Sequence, residues 1–386
     1  MQLLGMLKES IIFAMPMANK RVIVSVTNDL VTDQRVHKVC TYLHDKGCDV
    51  TLVGRKLKSS APLNRDYKTK RMRLLFAKGA LFYAEYNKRL FFYLLFKKAD
   101  VLLANDLDTL LANKTASRFK SCELVYDSHE FFTEVPELVN RPKVQKIWER
   151  IERRIFPKLK HIYTVNNSIA GLYKDRYNKE IKVVRNVSRR YQPTNVPTKE
   201  ELGLPVDKRI IILQGAGINI DRGSEELLEA MNHLSNFHLL IVGAGDVVPL
   251  LKDKAKGRTD VTFIGRKNYE SMMEYTANAD IGVSLDKDTN MNYRYSLPNK
   301  IFDYIHAGVP VLVSNLVEVR SIIDHYQVGS VIPSHDPEQI AESIRTFFLG
   351  LDQDDLSKKL AAAANELNWD NETKVLDSIY DPILNS

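Results

Sequence analysis

Short apolar runs with the composition of β-strands alternate with segments of helical periodicity along most of the chain. The first run, residues 22–26, is a continuous stretch rich in β-branched side chains, which is typical of a parallel strand buried on both faces. Apolar side chains between Val36 and Leu43 then recur at helical spacing. Further strand-like runs follow at residues 49–53, 100–104, 123–126 and 161–165. This alternation predicts a doubly wound α/β domain.

A polar, proline-containing stretch at residues 186–199 interrupts the alternation once. After it, strand-like runs resume at residues 209–213, 238–242, 261–264, 280–285, 309–313 and 330–332. A chain of 386 residues is long enough for two domains of ordinary size. We therefore predict two Rossmann-like doubly wound domains, residues 20–190 and residues 200–365. Because ligands of open α/β sheets bind beyond the carboxyl ends of the strands, two such domains predict a cleft lined by loops.

Composition excludes several other classes of protein. The sequence is 44% hydrophobic and 27% charged, which is ordinary for a globular protein and excludes a disordered or fibrous chain. Three cysteines cannot all pair, so a disulfide scaffold is excluded and a reducing compartment is favoured. Every apolar run is shorter than the roughly 18 residues of a spanning helix. Residues 1–19 carry only a weak apolar patch, so we interpret them as an unstructured leader.

The segment from residue 296 to residue 311 has the most informative pattern of polar residues. Pro298 stands at the start of a predicted helix, where its missing N–H costs nothing. Free backbone N–H groups at such a start bind anions, and Lys300 adds a positive charge. Asn299, Lys300 and Asp303 fall on one side of the helix, where a carboxylate can accept two hydroxyls of a ribose. The alternative is an ordinary proline-started helix with an exposed Asp303.

Other segments combine with this one into an ordered set. They are residues 105–110, 126–130, 213–215 with 221–223, 240–245 and 261–265. In order and spacing they resemble the GT-B glycosyltransferases of the large retaining family 4, also called glycosyl transferases group 1. The resemblance extends from about Lys20 to the end of the chain, and it implies that the second domain binds a nucleotide sugar. It also implies that residues 366–386 form a helix that crosses back to the N-terminal domain.

The resemblance places the donor, a nucleotide-diphosphate sugar of UDP or GDP type, in the C-terminal domain. Arg222 and Lys300 then neutralise the diphosphate, and Asp303 contacts the ribose. The predicted donor-binding residues are Gly215, Arg222, Gly243, Gly245, Gly265, Leu297, Pro298, Asn299, Lys300 and Asp303. Two alternatives stay open. In the first, Arg222 is a solvated surface residue. In the second, the glycines at 243 and 245 form only a tight turn, because the third glycine of a dinucleotide site is absent.

The N-terminal domain is expected to present the acceptor through loops at the ends of its strands. His129 follows a strand and is placed to hydrogen-bond a sugar hydroxyl or the reacting centre. Asp29 and Asp106 end strands on the same edge, where either can orient an acceptor hydroxyl or act as a base. The predicted catalytic residues are His129, Asp106 and Asp29, with Asn28, Asn105 and Glu130 on the acceptor side. The alternatives are a loop histidine held by a neighbouring carboxylate and aspartates that cap helices.

Two departures from the family pattern concern these sites. The family carries two glutamates eight residues apart, where this chain has Tyr295 and Asp303. Because tyrosine cannot replace a carboxylate, the resemblance leaves the sugar-hydroxyl contact at the first position unassigned. In place of the glycine pair after the first strand the chain has Asn28 and Asp29.

Two Asp-x-Asp pairs, Asp106 with Asp108 and Asp286 with Asp288, follow predicted strands. Such a pair can hold Mg²⁺ or Mn²⁺ under a diphosphate. A second α/β domain with its own basic residues argues against a required metal, because cations and helix N-termini neutralise the leaving diphosphate instead. We therefore expect no cofactor and no metal besides the nucleotide-sugar co-substrate.

The segment that begins at Arg55 and ends at Lys98 is strongly basic, with thirteen Lys or Arg residues against two acids. Its excess of eleven positive charges is larger than the net charge of +7 of the whole chain. Aromatic side chains interleave with the cations, which suits docking on an anionic membrane surface. The pattern also suits nucleic acid, but no RNA-binding motif accompanies it and we expect no nucleic-acid partner. The alternative is a helix with an apolar core face and a solvated basic face.

The residues and the resemblance together predict a retaining glycosyltransferase of hexosyltransferase type that acts on a glycan or lipid-linked acceptor. The resemblance implies that the leaving diphosphate helps to deprotonate the acceptor on the same face, so no protein nucleophile is expected. The predicted setting is polysaccharide biosynthesis by a cytoplasmic protein that is peripheral at the inner face of the bacterial membrane. Two alternatives stay open. A sugar-nucleotide epimerase of the same shape needs no acceptor, and a basic nucleic-acid-binding protein binds RNA or DNA with steep salt dependence.

Overall fold

The computed structural model describes residues 19–31, 33–191, 193 and 195–386. Residues 1–18, on which the predicted leader falls, lie outside the described residues. The described chain forms two compact units. The first comprises the described residues up to Asp127 together with Leu159–His161 and Asp377–Ser386, and the second comprises those of Ser128–Lys158 and Ile162–Leu376. The predicted domain boundaries remain predictions.

Strands and helices alternate in both halves of the sequence. In the first half they are β1 (Arg21–Asp29), α1 (Gln34–Asp45), β2 (Asp49–Arg55), β3 (Lys68–Met72), α2 (Gly79–Phe96), β4 (Val101–Asn105), α3 (Leu107–Ser117), β5 (Glu123–Ser128), α4 (Pro136–Val139), α5 (Pro142–Ile155), β6 (His161–Thr164), α6 (Asn167–Tyr177) and β7 (Lys182–Val183). In the second half they are β8 (Arg209–Gly215), α7 (Ser224–Ala230), β9 (Phe237–Gly243), α8 (Val248–Lys254), β10 (Val261–Gly265), α9 (Tyr269–Ala277), β11 (Ile281–Ser284), α10 (Met291–Arg294), α11 (Asn299–His306), β12 (Val311–Val313), α12 (Val317–Tyr326), β13 (Gly329–Val331), α13 (Pro337–Leu349), α14 (Gln353–Glu366) and α15 (Trp369–Leu384). Short 3₁₀ turns lie at Phe132–Glu134, Phe156–Lys158 and Met231–His233.

The strands form two sheets. A seven-stranded sheet has the order β3-β2-β1-β4-β5-β6-β7, and a six-stranded sheet has the order β10-β9-β8-β11-β12-β13. In the first sheet β1 pairs in parallel with β2 and β4, and in the second β8 pairs in parallel with β9 and β11. The order of each sheet therefore reverses beside its first strand, as in doubly wound folds. This topology confirms the prediction of two Rossmann-like doubly wound domains.

The central strands of each sheet are buried on both faces, which explains their continuous apolar sequences. In the first sheet β4 is buried at every position. In the second sheet β8 is buried from Ile210 to Gln214, and β9 from Phe237 to Val242. Because helices cover both faces of a parallel sheet, such strands carry no polar alternation. Their side chains form the core, and the loops that follow their carboxyl ends are left to carry polar residues.

Two edge strands were not predicted from the sequence. The residues of β3 are charged and mostly exposed, so they contain no apolar run, and β7 has only two residues. An edge strand has a neighbour on one side only, and lysines on it discourage pairing with another chain. An apolar run in the sequence reveals only a strand that is buried. These two strands are not buried in that way, so the sequence did not reveal them.

A buried ion pair holds α1 against the seven-stranded sheet. The Arg35 guanidinium donates to both carboxylate oxygens of Asp127, over 2.9 Å from Nε and 2.7 Å from Nη2. The two side chains are only 3% and 0% exposed. Charges removed from water in this way are stabilised only while both partners are present. Asp127 lies in the segment 126–130, and nothing in the sequence identifies the distant Arg35 as its partner.

The longest described helix, α2, has 18 residues and is rich in apolar side chains, but Glu85, Lys88 and Arg89 interrupt them. Phe82, Tyr86, Leu90 and Leu94 are buried, whereas Phe92 and Phe96 are exposed. None of the helices among the described residues is long and apolar enough to cross a membrane.

Candidate active site

The carboxyl ends of β8 and β9 meet at Gly215 and Gly243, which are partners in the strand pairing. Their φ angles are +151° and +142°, in the region that favours glycine. A Cβ atom on Gly243 would collide with the carbonyl oxygen of Gly215, and one on Gly245 would collide with that of Ile218. Glycine is therefore required at 243 and 245, because segments of the chain's own backbone approach each other closely at this edge of the sheet.

Lys300 brings a positive charge to this edge. It is the second residue of α11, whose N-cap Pro298 supplies no capping side chain to the first N–H groups. The Lys300 Nζ lies 3.9 Å from the position that a Cβ would take on Gly215. Across the part of the chain that the structure describes, this Nζ makes no hydrogen bond or ion pair. Burial lowers the pKa of Lys300, Asp286 opposes that effect and Arg222 adds to it.

Arg222 is the second cation near this edge. Its Nη1 is ion-paired with Oδ2 of Asp286, and its guanidinium carbon lies 4.4 Å from the centre of the Tyr293 ring. Its Nε is buried without a hydrogen-bond partner among the described residues. Gly223, with φ +70°, turns the chain directly into α7, and a Cβ there would collide with the Leu285 carbonyl. The side chain is therefore partly enclosed, and the alternative of a freely solvated surface arginine is wrong.

Two cations and one carboxylate make a site that attracts anions. Lys300 and Arg222 both interact electrostatically with Asp286, which neutralises only one of them. The uncapped N–H groups at the start of α11 add partial positive charge. Such a set of donors is suited to the oxygens of a phosphate or diphosphate.

Asp303 is held by protein donors. Its Oδ1 accepts hydrogen bonds from the Ser188 hydroxyl at 2.7 Å and from the Tyr269 hydroxyl at 3.1 Å. Its Oδ2 lies 3.4 Å from Nε2 of Gln214. The side chain is 6% exposed, so the alternative of an exposed aspartate is wrong. Burial and the Asp303 charge both raise the pKa of Tyr269, which keeps that hydroxyl a donor.

We expect Asp303→Ala to weaken binding of a nucleoside diphosphate by about 1–3 kcal/mol, because a hydrogen bond to a charged acceptor is lost. Calorimetric titration with UDP and GDP measures the change. Ser188→Ala is the matched control, since it removes one protein donor and leaves the carboxylate in place. Equal affinity losses in both variants would show that Asp303 acts only through the packing of its neighbours.

The other predicted donor-side residues lie around the same elements. Gly265 ends β10 with φ +74° and has open space where a Cβ would stand. Leu297 and Asn299 are half-buried on either side of Pro298. Sequence reasoning missed Ser188, Gln214 and Tyr269, because nothing in their local sequence distinguishes them from ordinary loop, strand and helix residues.

In the first unit, Asp29 at the end of β1 is held by other side chains. It accepts hydrogen bonds from the Ser60 hydroxyl, from the Val31 N–H at 3.4 Å and from Arg71 at 3.0 Å. Burial opposes ionisation, but these donors outweigh it and lower the pKa of Asp29. A carboxylate with a lowered pKa is a weaker base. Asn28 donates to Asp33 at 3.1 Å.

The two polar residues at the end of β4, Asn105 and Asp106, lie in different environments. Asn105 is completely buried, and its Nδ2 donates to the Ser25 carbonyl at 3.0 Å, which ties β4 to β1. Asp106 has φ 58° and ψ 167°, a backbone conformation that residues other than glycine rarely adopt. It stands at the N-cap of α3, yet its side chain makes no capping hydrogen bond, so the alternative of side-chain capping is wrong for Asp106. Strained backbone of this kind clusters at functional sites.

His129 and Glu130 follow β5 directly and are half-buried in the second unit. The next residue, Phe131, exchanges two hydrogen bonds with the Asn292 side chain. The Phe131 N–H donates to Oδ1 over 3.0 Å, and Asn292 Nδ2 donates to the Phe131 carbonyl over 3.3 Å. Asn292 therefore holds the loop that carries His129 against α10.

Three of the four carboxylates in the two Asp-x-Asp pairs are bound by identified protein partners. Asp286 is bound by Arg222, and Asp288 lies 3.0 Å from Nε of Arg294. Asp108 accepts a hydrogen bond from the Thr27 hydroxyl at 2.5 Å. Among the described residues no group of three or more His, Cys, Asp or Glu side chains is arranged to hold a metal ion. A reaction without a metal stays a prediction.

Comparisons with known proteins agree with this arrangement. Residues 208–348 match the family model described as glycosyl transferases group 1, and residues 33–187 match that described as glycosyltransferase family 4. No curated protein sequence matches the chain.

Solved structures cover nearly the whole chain at low sequence identity. Sucrose-phosphate synthase from Thermosynechococcus elongatus has a TM-score of 0.77 at 15% identity and covers 94% of this chain and 99% of its own. HepE from Anabaena in complex with UDP has a TM-score of 0.70 at 13% identity, and the match covers 94% of this chain and 100% of the HepE chain. WaaG, a glycosyltransferase involved in lipopolysaccharide biosynthesis, has a TM-score of 0.67 at 15% identity, and the match covers 93% of this chain and 99% of the WaaG chain.

The two sheets and these matches define a glycosyltransferase of the GT-B fold. Within that class the chain belongs to family 4, the group 1 glycosyl transferases. The resemblance stated from the sequence is thereby confirmed, as is the fold.

Proposed function

We propose that this glycosyltransferase moves a sugar from a UDP- or GDP-sugar to a glycan or lipid-linked acceptor with retention of anomeric configuration. The observation that carries the proposal is the placement of Lys300 beside the glycine backbone at the end of β8, with Arg222 close enough to lower the pKa of Lys300. Anabaena HepE, a protein of similar fold, has been solved with UDP and with UDP-glucose, which supports a nucleotide-sugar donor. Lipopolysaccharide biosynthesis by WaaG supports a setting in cell-surface polysaccharide assembly.

The proposed chemistry depends on charge stabilisation of the leaving group. When the sugar–phosphate bond breaks, negative charge grows on the diphosphate. Fixed cations and N–H groups that are already oriented stabilise this charge without reorganisation, and a metal is then not required. Lys300 and Arg222 are the residues of this chain that fill that role.

On the acceptor side, His129 and Asp106 are the proposed catalytic residues, and Glu130 is a proposed acceptor-side residue. The strained backbone of Asp106 supports this role. Asp29 is a weaker candidate for the base because Arg71 pairs with it and its pKa is lowered. Asn105, whose Nδ2 donates to the Ser25 carbonyl, stays an acceptor-side prediction.

A thermal-shift panel in EDTA tests the proposal. The ligands are UDP, GDP, CDP, their common sugar conjugates, NAD and a short single-stranded RNA. A ligand at about 100 times its Kd adds about 2.7 kcal/mol to stability. We expect a shift with one nucleoside diphosphate and its sugar conjugate. A shift with RNA alone would favour the nucleic-acid-binding alternative, and isomerisation of the bound sugar nucleotide without an acceptor would favour the epimerase.

We also propose that the chain is a peripheral protein at the inner face of a bacterial membrane, docked through the basic segment from Arg55 to Lys98. Two aromatic side chains at the ends of α2 and α3 support this: Phe96 is 78% exposed and Phe119 is 68% exposed. Lys97 and Lys98 stand beside them in exposed positions. Aromatic residues flanked by cations favour the interface of an anionic bilayer.

We expect the double variant Lys97→Gln with Lys98→Gln to bind vesicles containing phosphatidylglycerol about 30-fold more weakly, since each cation contributes about 1 kcal/mol near an anionic surface. Co-sedimentation with such vesicles and with neutral phosphatidylcholine vesicles measures this. Lys256→Gln with Lys358→Gln is the matched control because both lysines are exposed in the second unit. Equal binding by the wild type and both double variants would contradict membrane docking at this face.

A further inference from the structure

We propose that Asp286 binds a hydroxyl group of the donor's sugar and thereby helps to select that sugar. This inference rests on the proposed function of the same site. It gives a role in donor binding to Asp286, which is not among the donor-binding residues predicted from the sequence. Asp286 follows β11 and is 2% exposed. Its Oδ1 is buried without a hydrogen-bond partner among the described residues.

The two carboxylate oxygens of Asp286 have different surroundings. Oδ2 accepts the ion pair from Arg222 and lies 3.4 Å from the Ser296 hydroxyl. Oδ1 has none of these donors. A buried oxygen with no donor is costly, and such atoms are rare in folded proteins. The unpaired Oδ1 of Asp286 therefore has the capacity to accept a hydrogen bond that the described residues do not supply.

The chemistry of the surroundings identifies the ligand group. A phosphate oxygen is an acceptor with negative charge, so the Asp286 carboxylate repels it, while Arg222 and Lys300 attract it. In a nucleotide sugar the group attached beyond the phosphates is the sugar, and its hydroxyls are the donors near the diphosphate. The Asp286 carboxylate is bonded to one of the two cations, so it lies within reach of a group attached to a phosphate held by them.

The test compares binding of the whole donor with binding of the nucleotide alone. Calorimetry gives the Kd of UDP-glucose, UDP, GDP-mannose and GDP for the wild type and for Asp286→Asn. We expect the variant to bind the nucleoside diphosphate as tightly as the wild type or more tightly, because a negative charge near the phosphates is gone. We expect its affinity for the matching sugar conjugate to fall at least tenfold.

Controls separate this role from a structural one. Asp288→Asn is the matched control, because Asp288 pairs with Arg294 and is half-exposed. Asp286→Glu keeps the charge, shifts the carboxylate by one carbon and should also reduce the preference for the sugar conjugate. If both Asp286 variants lose affinity for nucleotide and conjugate equally, the residue only holds Arg222 and the inference is overturned. A wild type that binds none of the four ligands would overturn the proposed function itself.

Discussion

Replacing Lys300 by methionine should lower kcat/KM for the nucleotide sugar by a factor of about 100 to 1,000. The reason is electrostatic: removal of one preoriented group that stabilises developing charge typically costs that much. The Lys300 ammonium lies beside the Gly215 backbone and has no protein partner among the described residues, so its charge is available to a ligand. Initial-rate measurements of donor consumption at saturating acceptor give the ratio.

The stability of this variant provides the control. Burial lowers the pKa of Lys300, so the folded state binds its proton less tightly than the unfolded state does. Below the lowered pKa of the folded state the buried charge destabilises the fold in full. This cost falls as the pH rises from that pKa to the pKa of an unfolded lysine, and it is absent above the latter. Lys300→Met should keep or raise the unfolding midpoint at neutral pH. An activity within threefold of the wild type would remove Lys300 from the diphosphate site.

Arg35→Met should lower the free energy of unfolding by about 3–5 kcal/mol, because it leaves the Asp127 carboxylate buried without its partner. Both side chains are almost fully enclosed, and the pair has two hydrogen bonds. Urea unfolding followed by circular dichroism measures the loss. Because methionine fills most of the space of the arginine stem, cavity formation contributes little to the change.

Two further variants make this prediction specific. Arg35→Met combined with Asp127→Leu removes both charges and should recover most of the lost stability, since a buried ion pair can be replaced by apolar residues at little cost. Arg21→Met breaks the pair with Asp100, in which the two side chains are 40% and 30% exposed, and should cost much less stability than Arg35→Met because water screens an exposed pair. Equal losses in Arg35→Met and Arg21→Met would contradict the account of Asp127.

The fold could be predicted wherever burial leaves a trace in the sequence. The strands β1, β4, β8 and β9 lie inside their sheets and read as continuous apolar runs. The strand β3 could not be found in this way, because it is an edge strand rich in charged residues. Its residues were instead interpreted as part of the basic segment. Position within the sheet therefore decided which strands the pattern detected.

The candidate site was predictable where a residue type is tied to local backbone geometry. Gly215 and Gly243 have positive φ angles and touching backbones, and Lys300 follows the proline that starts its helix. The partners of Asp303 are different, because Ser188 and Tyr269 reach it from distant parts of the sequence. Contacts of this kind arise from the tertiary fold and leave no periodic or local signal.

The most direct test of the central claim is calorimetric titration, in EDTA, of the nucleoside diphosphate selected by the thermal-shift panel and of the corresponding nucleoside. We expect one binding site per chain and an affinity for uridine or guanosine at least about 100-fold below that for UDP or GDP, because the diphosphate provides the contacts to Lys300 and Arg222. Equal affinities for nucleoside and diphosphate, or no binding of either, would contradict the assignment of this site.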